Sequence, residues 1–230
     1  MLSYPPRTFP ILRGTTFWLL VVCALAPRAE PASIPTITMT FDFPGSEPEH
    51  FVTSVSSDGR ATYDSNGRLT PQSESGEPFH LEFTMSKATC DRVFSLAKKA
   101  RYFEGDIDSK AANLAFTGRK TLIYEDGQKK TQATYNYSPL PAIQELTALF
   151  QDMSMTLEFG RRLDYYHHYQ KLALDEELRS MESMLRGKNL VELAAVTPIL
   201  QTIAHDSSVM NVSRARALRL LSQANAAPAH

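Results

Sequence analysis

The run Phe79-His-Leu-Glu-Phe-Thr-Met85-Ser86-Lys-Ala-Thr-Cys90-Asp-Arg-Val93-Phe94-Ser-Leu-Ala97-Lys-Lys-Ala100 changes its apolar period part-way, and that change decides the fold class. Up to Met85 the period is two. Phe79, Leu81, Phe83 and Met85 share one face and His80, Glu82 and Thr84 the other, the pattern of a half-buried strand. From Ser86 onward Cys90, Val93, Phe94, Ala97 and Ala100 recur at three- and four-residue spacings, which makes the apolar stripe of an amphipathic helix. Ser86 is placed to cap that helix, because its hydroxyl can accept from backbone N–H groups two or three residues on. A strand followed at once by such a helix predicts a helix lying on a sheet.

Working upstream, Ile37, Met39, Phe41 and Phe43 alternate with Thr and Asp, and the segments His50–Ser56 and Arg60–Tyr63 flank Asp58-Gly59. Asp-Gly supplies the positive-φ residues of a tight hairpin turn, and Asn66-Gly67 offers a second one. Downstream, an acidic loop leads to about Leu114, and a further hairpin turns at Asp126-Gly127 between Arg119–Glu125 and Lys129–Tyr137. Beyond Ser138-Pro139-Leu140-Pro141 the period becomes helical, with Ile143, Leu146, Phe150, Met153 and Leu157 on one stripe, and no strand signal follows. Gly160 interrupts this stripe, and Gly187 closes a segment carrying Leu178, Met181, Met184 and Leu185. Asn189-x-x-Glu192 has the form of a capping pair for the next helix. Asp206 or Ser207 is placed to cap a last helix from about Ser208 to Ser222. The expectation is α+β: an antiparallel sheet packed with one or two helices over residues 33–162, an all-α segment over 163–223, and a frayed tail over 224–230.

The N-terminal end reads differently. Arg7 and Arg13 precede the apolar run Phe17–Ala26, and Pro27, Arg28 and small residues follow, the charged, apolar, small-residue order of a secretory signal. Even with Thr15 and Thr16 the run is about 12 residues, whereas a membrane-spanning helix needs ~20. Cleavage is expected after Ala24 or between Ala26 and Ala32. A lipid anchor on Cys23 is the alternative, and it suffers from the bulky Val22 before the cysteine. Removal of residues 1–32 takes Arg7, Arg13, Arg28 and Glu30 and moves the formal charge from −1 to −3. A mildly acidic chain without a long basic run is a poor nucleic-acid binder. Cys90 is then the only cysteine, so no internal disulfide can form and the mature fold must rest on its apolar core.

The order of hairpin strands, helix, second hairpin and helix, carried by Asp58-Gly59-Arg60-Ala61-Thr62-Tyr63, Tyr102-Phe103 and Tyr124-Glu125-Asp126-Gly127, resembles a group of small exported bacterial domains of unknown function. That resemblance implies the strand-helix-hairpin-helix plan and brings no catalytic residues. Residues Pro198–Ala204, followed by Asp206, Val212, Arg214, Ala217 and Leu221, resemble one helical hairpin of the HEAT class. No second copy follows at a fixed period, so a single hairpin packed on the rest of the protein is expected.

The densest polar-aromatic cluster is Asp164-Tyr165-Tyr166-His167-His168-Tyr169. Asp164 and His168 lie four apart and share a helix face, so Asp164, His167 and His168 are the candidate ligand or metal residues. A metal site needs three or four ligands, and the sequence around this cluster does not supply the rest. Half-buried packing, with polar tips left wet, is the competing reading. Tyr124, Tyr135 and Tyr137 are candidates for an interaction face, and they fit cross-strand packing equally well. Cys90 falls on a core stripe, where a reactive thiolate is disfavoured. The loop Glu104-Gly105-Asp106-Ile107-Asp108-Ser109 places oxygen donors at alternate positions without the spacing of an EF-hand. Asn136-Tyr-Ser138 and Asn211-Val-Ser213 match glycosylation acceptors, which matter only on a eukaryotic secretory route. There is no Gly-x-Ser-x-Gly elbow, no phosphate-cradling glycine pattern and no cofactor fingerprint, and no cofactor is expected.

These readings together favour an exported, non-enzymatic binding or structural module acting on an unknown protein or envelope component, with no nucleic-acid partner and no membrane span after signal removal. A small extracytoplasmic hydrolase with a pocket near Tyr165–Tyr169, and a helical adaptor built on the C-terminal hairpin, are the alternatives.

Overall fold

A computed structural model describes residue 1, residues 33–111 and residues 113–226. The expected signal segment Phe17–Ala26, Cys23 and the last four residues of the expected tail lie outside the described residues.

The chain from Ser33 onward is a single compact unit. Strands β1 (Thr36–Asp42), β2 (His50–Ser56), β3 (Arg60–Ser65) and β4 (Phe79–Thr84) precede helix α1 (Lys87–Lys99). Strands β5 (Arg119–Glu125) and β6 (Lys130–Tyr135) follow, and then helices α2 (Pro141–Tyr169), α3 (Leu174–Arg186), α4 (Thr197–His205) and α5 (Asn211–Ala226). All six strands join one antiparallel sheet in the order β4-β3-β2-β1-β5-β6, so the expected α+β class with a helical C-terminal segment is the one observed.

Alternation does the sorting. Ile37, Met39 and Phe41 of β1, Phe51 and Val55 of β2, Tyr63 of β3 and Leu122 of β5 are buried in one core with Val93, Leu96 and Ala97 of α1 and Phe150, Met153 and Leu157 of α2. The Ser86 hydroxyl caps α1 as expected, accepting from the Thr89 N–H at 3.3 Å. The opposite face is polar and hydroxyl-rich, and none of its outward positions is buried. Thr38 and Ser54 hydroxyls pair across strands at 2.8 Å, as do Thr121 and Thr134 at 3.0 Å.

The two ends of the sheet differ. One carries the tight turns at Asp58-Gly59 and Asp126-Gly127, where the glycines take φ of +89° and +85°. The register places the other connections at the opposite end: residues 43–49, 66–78, the segment entering β5 and the segment leaving β6.

Asn66-Gly67 is not a tight hairpin turn. Gly67 does not take positive φ; it is needed because a Cβ would sit 2.4 Å from Glu158 Oε2. The chain instead makes a closed loop, with the Glu77 N–H donating to the Gly67 carbonyl at 3.0 Å. Buried Arg161 donates to the carbonyls of both Gly67 and Glu77, at 3.0 and 2.8 Å.

Gly160 does not break the helical stripe, and the boundary expected at residue 162 falls inside the single helix α2. A Cβ on Gly160 would lie 2.5 Å from Val196 Cγ1, so the glycine admits a neighbouring segment to the helix surface. Glu192 does not cap the helix that follows it. With φ of +56° it turns its carboxylate to α1, accepting the Ser86 N–H at 2.9 Å and the Ser86 hydroxyl at 2.6 Å. A carboxylate there meets the positive end of the helix dipole. The last helix starts at Asn211 and continues through Ala226, while Asp206 accepts from Ser208 in the turn between α4 and α5.

Candidate functional site

The three candidate ligand residues do not converge. His167 points from the end of α2 to the α4–α5 turn, where its Nε2 lies 2.9 Å from Asp206 Oδ2 and its Nδ1 is buried without a hydrogen-bond partner. Asp206 also accepts from Lys171 Nζ at 2.7 Å and from Ser208, and the ammonium and these donors hold its carboxyl well below the usual carboxylate range. His168 is on the exposed side of the helix, with Nδ1 2.8 Å from the carbonyl of Asp164 and 3.7 Å from its Oδ2. Among the described residues no group of three or more His, Cys, Asp or Glu side chains is placed to hold a metal ion. Consecutive residues about 100° apart on a helix have taken separate tasks, and His167 ties one helix to another.

The three tyrosines divide as well. Tyr124 is buried and stacks on Tyr102 at 4.3 Å, and its hydroxyl donates to Asp126 Oδ2 at 3.0 Å. Burial, with Asp126 beside it, pushes this phenol up to about 12. Tyr135 is buried with its hydroxyl 2.5 Å from Thr147 Oγ1. Only Tyr137 is exposed, accepting from Gln144 Nε2 at 2.8 Å. Inward strand positions packed against helices explain the first two, so the three make no common surface. Cys90 is buried and free, and desolvation raises its thiol above the ordinary value. The acidic loop is also dispersed: Glu104 pairs with Lys129, Asp106 with Lys110, and Asp108 accepts from the Asn136 and Tyr137 N–H groups. Ser138 and Ser213 of the two glycosylation tripeptides are buried in the folded chain.

A different group of residues is brought together at the end of the sheet that carries the long connections. Asp42, the last residue of β1, faces His50, the first of β2, and Arg119, the first of β5. Asp42 Oδ1 lies 2.7 Å from His50 Nδ1, and Asp42 Oδ2 accepts from Arg119 Nη2 at 3.3 Å. Beside them opens a cleft of ≈ 690 Å³, lined also by Phe43, Glu49, Asn66, Asp108 and Phe116. That volume is typical of small-molecule sites, which run from about 300 to 1,000 Å³.

Phe116 is 56% exposed and meets Phe43 edge-on, with ring centroids 5.7 Å apart. Its loop is nevertheless fixed. Asn136 accepts from the Thr117 N–H through Oδ1 at 2.8 Å and donates from Nδ2 to the Ala115 carbonyl at 3.0 Å. From the inner side of β5, Lys120 donates its ammonium hydrogens to the carbonyls of Thr117, Gly118 and Asn136 at 2.9–3.0 Å. Burial pulls this amine below the ordinary lysine range, while three carbonyl dipoles around it favour the charged form. Gly118, at φ of +97°, brings the loop within 2.7 Å of the Phe41 ring by the position a Cβ would take. An exposed aromatic ring on an anchored loop is pre-organised for contact.

Sequence reasoning did not single out this group. Its members come from six separate stretches of chain, and only the outward polar positions at strand ends, Asp42, His50 and Arg119, carried a local signal. No protein-family model and no curated protein matches the chain.

Proposed function

We propose that the protein is an exported, non-enzymatic binding module whose ligand seats in the cleft between Phe116 and the Asp42–His50–Arg119 group. The observation that carries the reading is Phe116: a large apolar ring left half in water, yet held by Asn136 and Lys120 from both sides of its loop. With Phe43, which it meets edge-on, Phe116 forms an apolar wall beside the polar Asp42–His50–Arg119 group, the mixed lining of a small-molecule site. The position agrees, because loops gathered at one end of a rigid sheet are where binding residues concentrate. Export rests on the charged, apolar and small-residue order of residues 7–32.

The hydrolase alternative gains little around Tyr165–Tyr169, where His167 and His168 serve different neighbours. The helical adaptor would need a concave face that the α4–α5 pair does not supply by itself.

The test uses the mature protein recovered from an extracytoplasmic fraction, whose first residue is expected between Leu25 and Ser33. Screened against a small-molecule fragment library with backbone amide NMR, binders are expected to shift Phe43, His50, Phe116 and Arg119. Shifts confined to residues 165–169, or multiple turnover of a bound fragment, would overturn the reading.

A further inference from the structure

Resting on that binding reading, we propose that the ligand of this cleft is an uncharged saccharide, a pyranose ring or a short chain of them.

The lining is mixed in a way that matches vicinal hydroxyl groups. Arg119 spends one N–H on Asp42 and keeps the rest of its guanidinium for a ligand. Asn66 gives its oxygen to the His50 N–H and keeps its amide hydrogens. On the acceptor side, Asp108 uses one oxygen for two long backbone contacts at 3.3 and 3.4 Å, and among the described residues the other has no hydrogen-bond donor. Glu49 likewise uses only Oε1, on the Gly45 N–H. Each sugar hydroxyl donates one hydrogen bond and accepts two, so neighbouring hydroxyls engage a guanidinium and a carboxylate at once. A ligand of one hydrogen-bonding kind leaves half of these planar groups desolvated and unpaired, which opposes binding.

Charge narrows the class. Asp42, Glu49 and Asp108 stand against Arg119 and the imidazole of His50, so the lining holds an excess of negative charge even with that imidazole protonated. Phosphorylated or carboxylated sugars are therefore disfavoured. The cations nearest Glu49 and Asp108 do not change this, because Arg68 is paired with Glu47 and Lys110 with Asp106. The Phe116 ring completes the fit, since the C–H face of a pyranose is apolar and flat while its rim is polar. Thr134, which also lines the cleft, leads out onto the hydroxyl-rich sheet face, where a longer chain would continue.

The experiment titrates the full mature chain with cellotetraose, maltotetraose and tetra-N-acetylchitotetraose, with spermidine and a neutral tripeptide as the other probe classes. Amide shifts are followed at residues 42–50, 108, 116 and 119. At least one saccharide is expected to shift these residues, and Phe116→Ala is expected to weaken it roughly tenfold, the effect of removing one anchor side chain. The thermal midpoint of that variant should fall by only a few degrees, because more than half of Phe116 is exposed and its one ring contact among the described residues is with Phe43. If spermidine or the tripeptide shifts the cleft and no saccharide does, the saccharide inference fails and the binding reading stands. If neither these probes nor any fragment shifts the cleft, both fail. A saccharide that binds elsewhere, or binds Phe116→Ala equally well, also overturns the inference.

Discussion

Gly160 shows how a single missing carbon decides local geometry. Replacing it by alanine gains about 1 kcal/mol of helix propensity in mid-helix. The new Cβ would lie 2.5 Å from Val196 Cγ1 and 3.2 Å from its Cβ, both in a buried side chain. Overpacking of this kind costs ~1–3 kcal/mol. Gly160→Ala is therefore expected to destabilise the protein despite the better helix former, and Gly160→Ala with Val196→Ala to be more stable than the two single effects predict, by ~1 kcal/mol or more. Urea denaturation of the four proteins measures the coupling, and additive effects would show that the two segments are not in contact. The same residue marks a limit of sequence reading. Ser86, Gly59 and Gly127 were legible because their partners are two or three residues away. Gly67, Gly160 and Glu192 were misread because their partners, Glu158, Val196 and Ser86, are far along the chain.

Between elements, ionic contacts fasten α5 to α3. Arg216 donates to Asp175 at 2.8 Å and to Glu182 at 2.5 Å, and Arg219 donates to Glu182 at 2.9 Å. The Arg216 guanidinium holds the Asp175 carboxyl below its ordinary value. A carboxyl depressed in the folded state stabilises above its unfolded pKa of ~4, and that contribution is lost as pH falls through the folded value. Arg216→Met keeps the apolar stem and removes the charge. It is expected to cost ~1–3 kcal/mol at pH 7, between the values for exposed and fully buried pairs, because Arg216 is 18% exposed. Stability measured from pH 6 to pH 3 should fall less steeply in the variant than in the parent, and parallel profiles would refute the assignment. Elements themselves were well read where their period was local: the bounds of β1, β2 and β4 fall within two residues of expectation. The length of α2 was not, because a glycine in a stripe looks the same whether it ends a helix or admits a neighbour to it.

Across the whole molecule, the cleft was illegible in the sequence because six stretches of chain converge on it only after the sheet has formed. What joins the helical segment expected over residues 163–223 to the sheet is likewise long-range. Helix α2 spans the expected boundary, with Leu157 on one side of it and Leu163 and Tyr166 on the other, all buried. Glu192 caps α1, and Arg162 is paired with Glu177 at 2.7 Å. A chain cut after residue 162 keeps all six strands but loses the last two turns of α2, the Glu192 carboxylate on Ser86 and the Val196 contact at Gly160. Exposed apolar area would then include the surface of α2 that the C-terminal elements cover. Residues 33–162 expressed alone are accordingly expected to lack a cooperative unfolding transition, and residues 33–230 to unfold in one transition by calorimetry, with circular dichroism and tryptophan-independent probes coinciding. Two resolved transitions in the longer chain, or a cooperatively folded shorter one, would show that the sheet and the C-terminal helices are independent and that the Glu192–Ser86 contact is incidental.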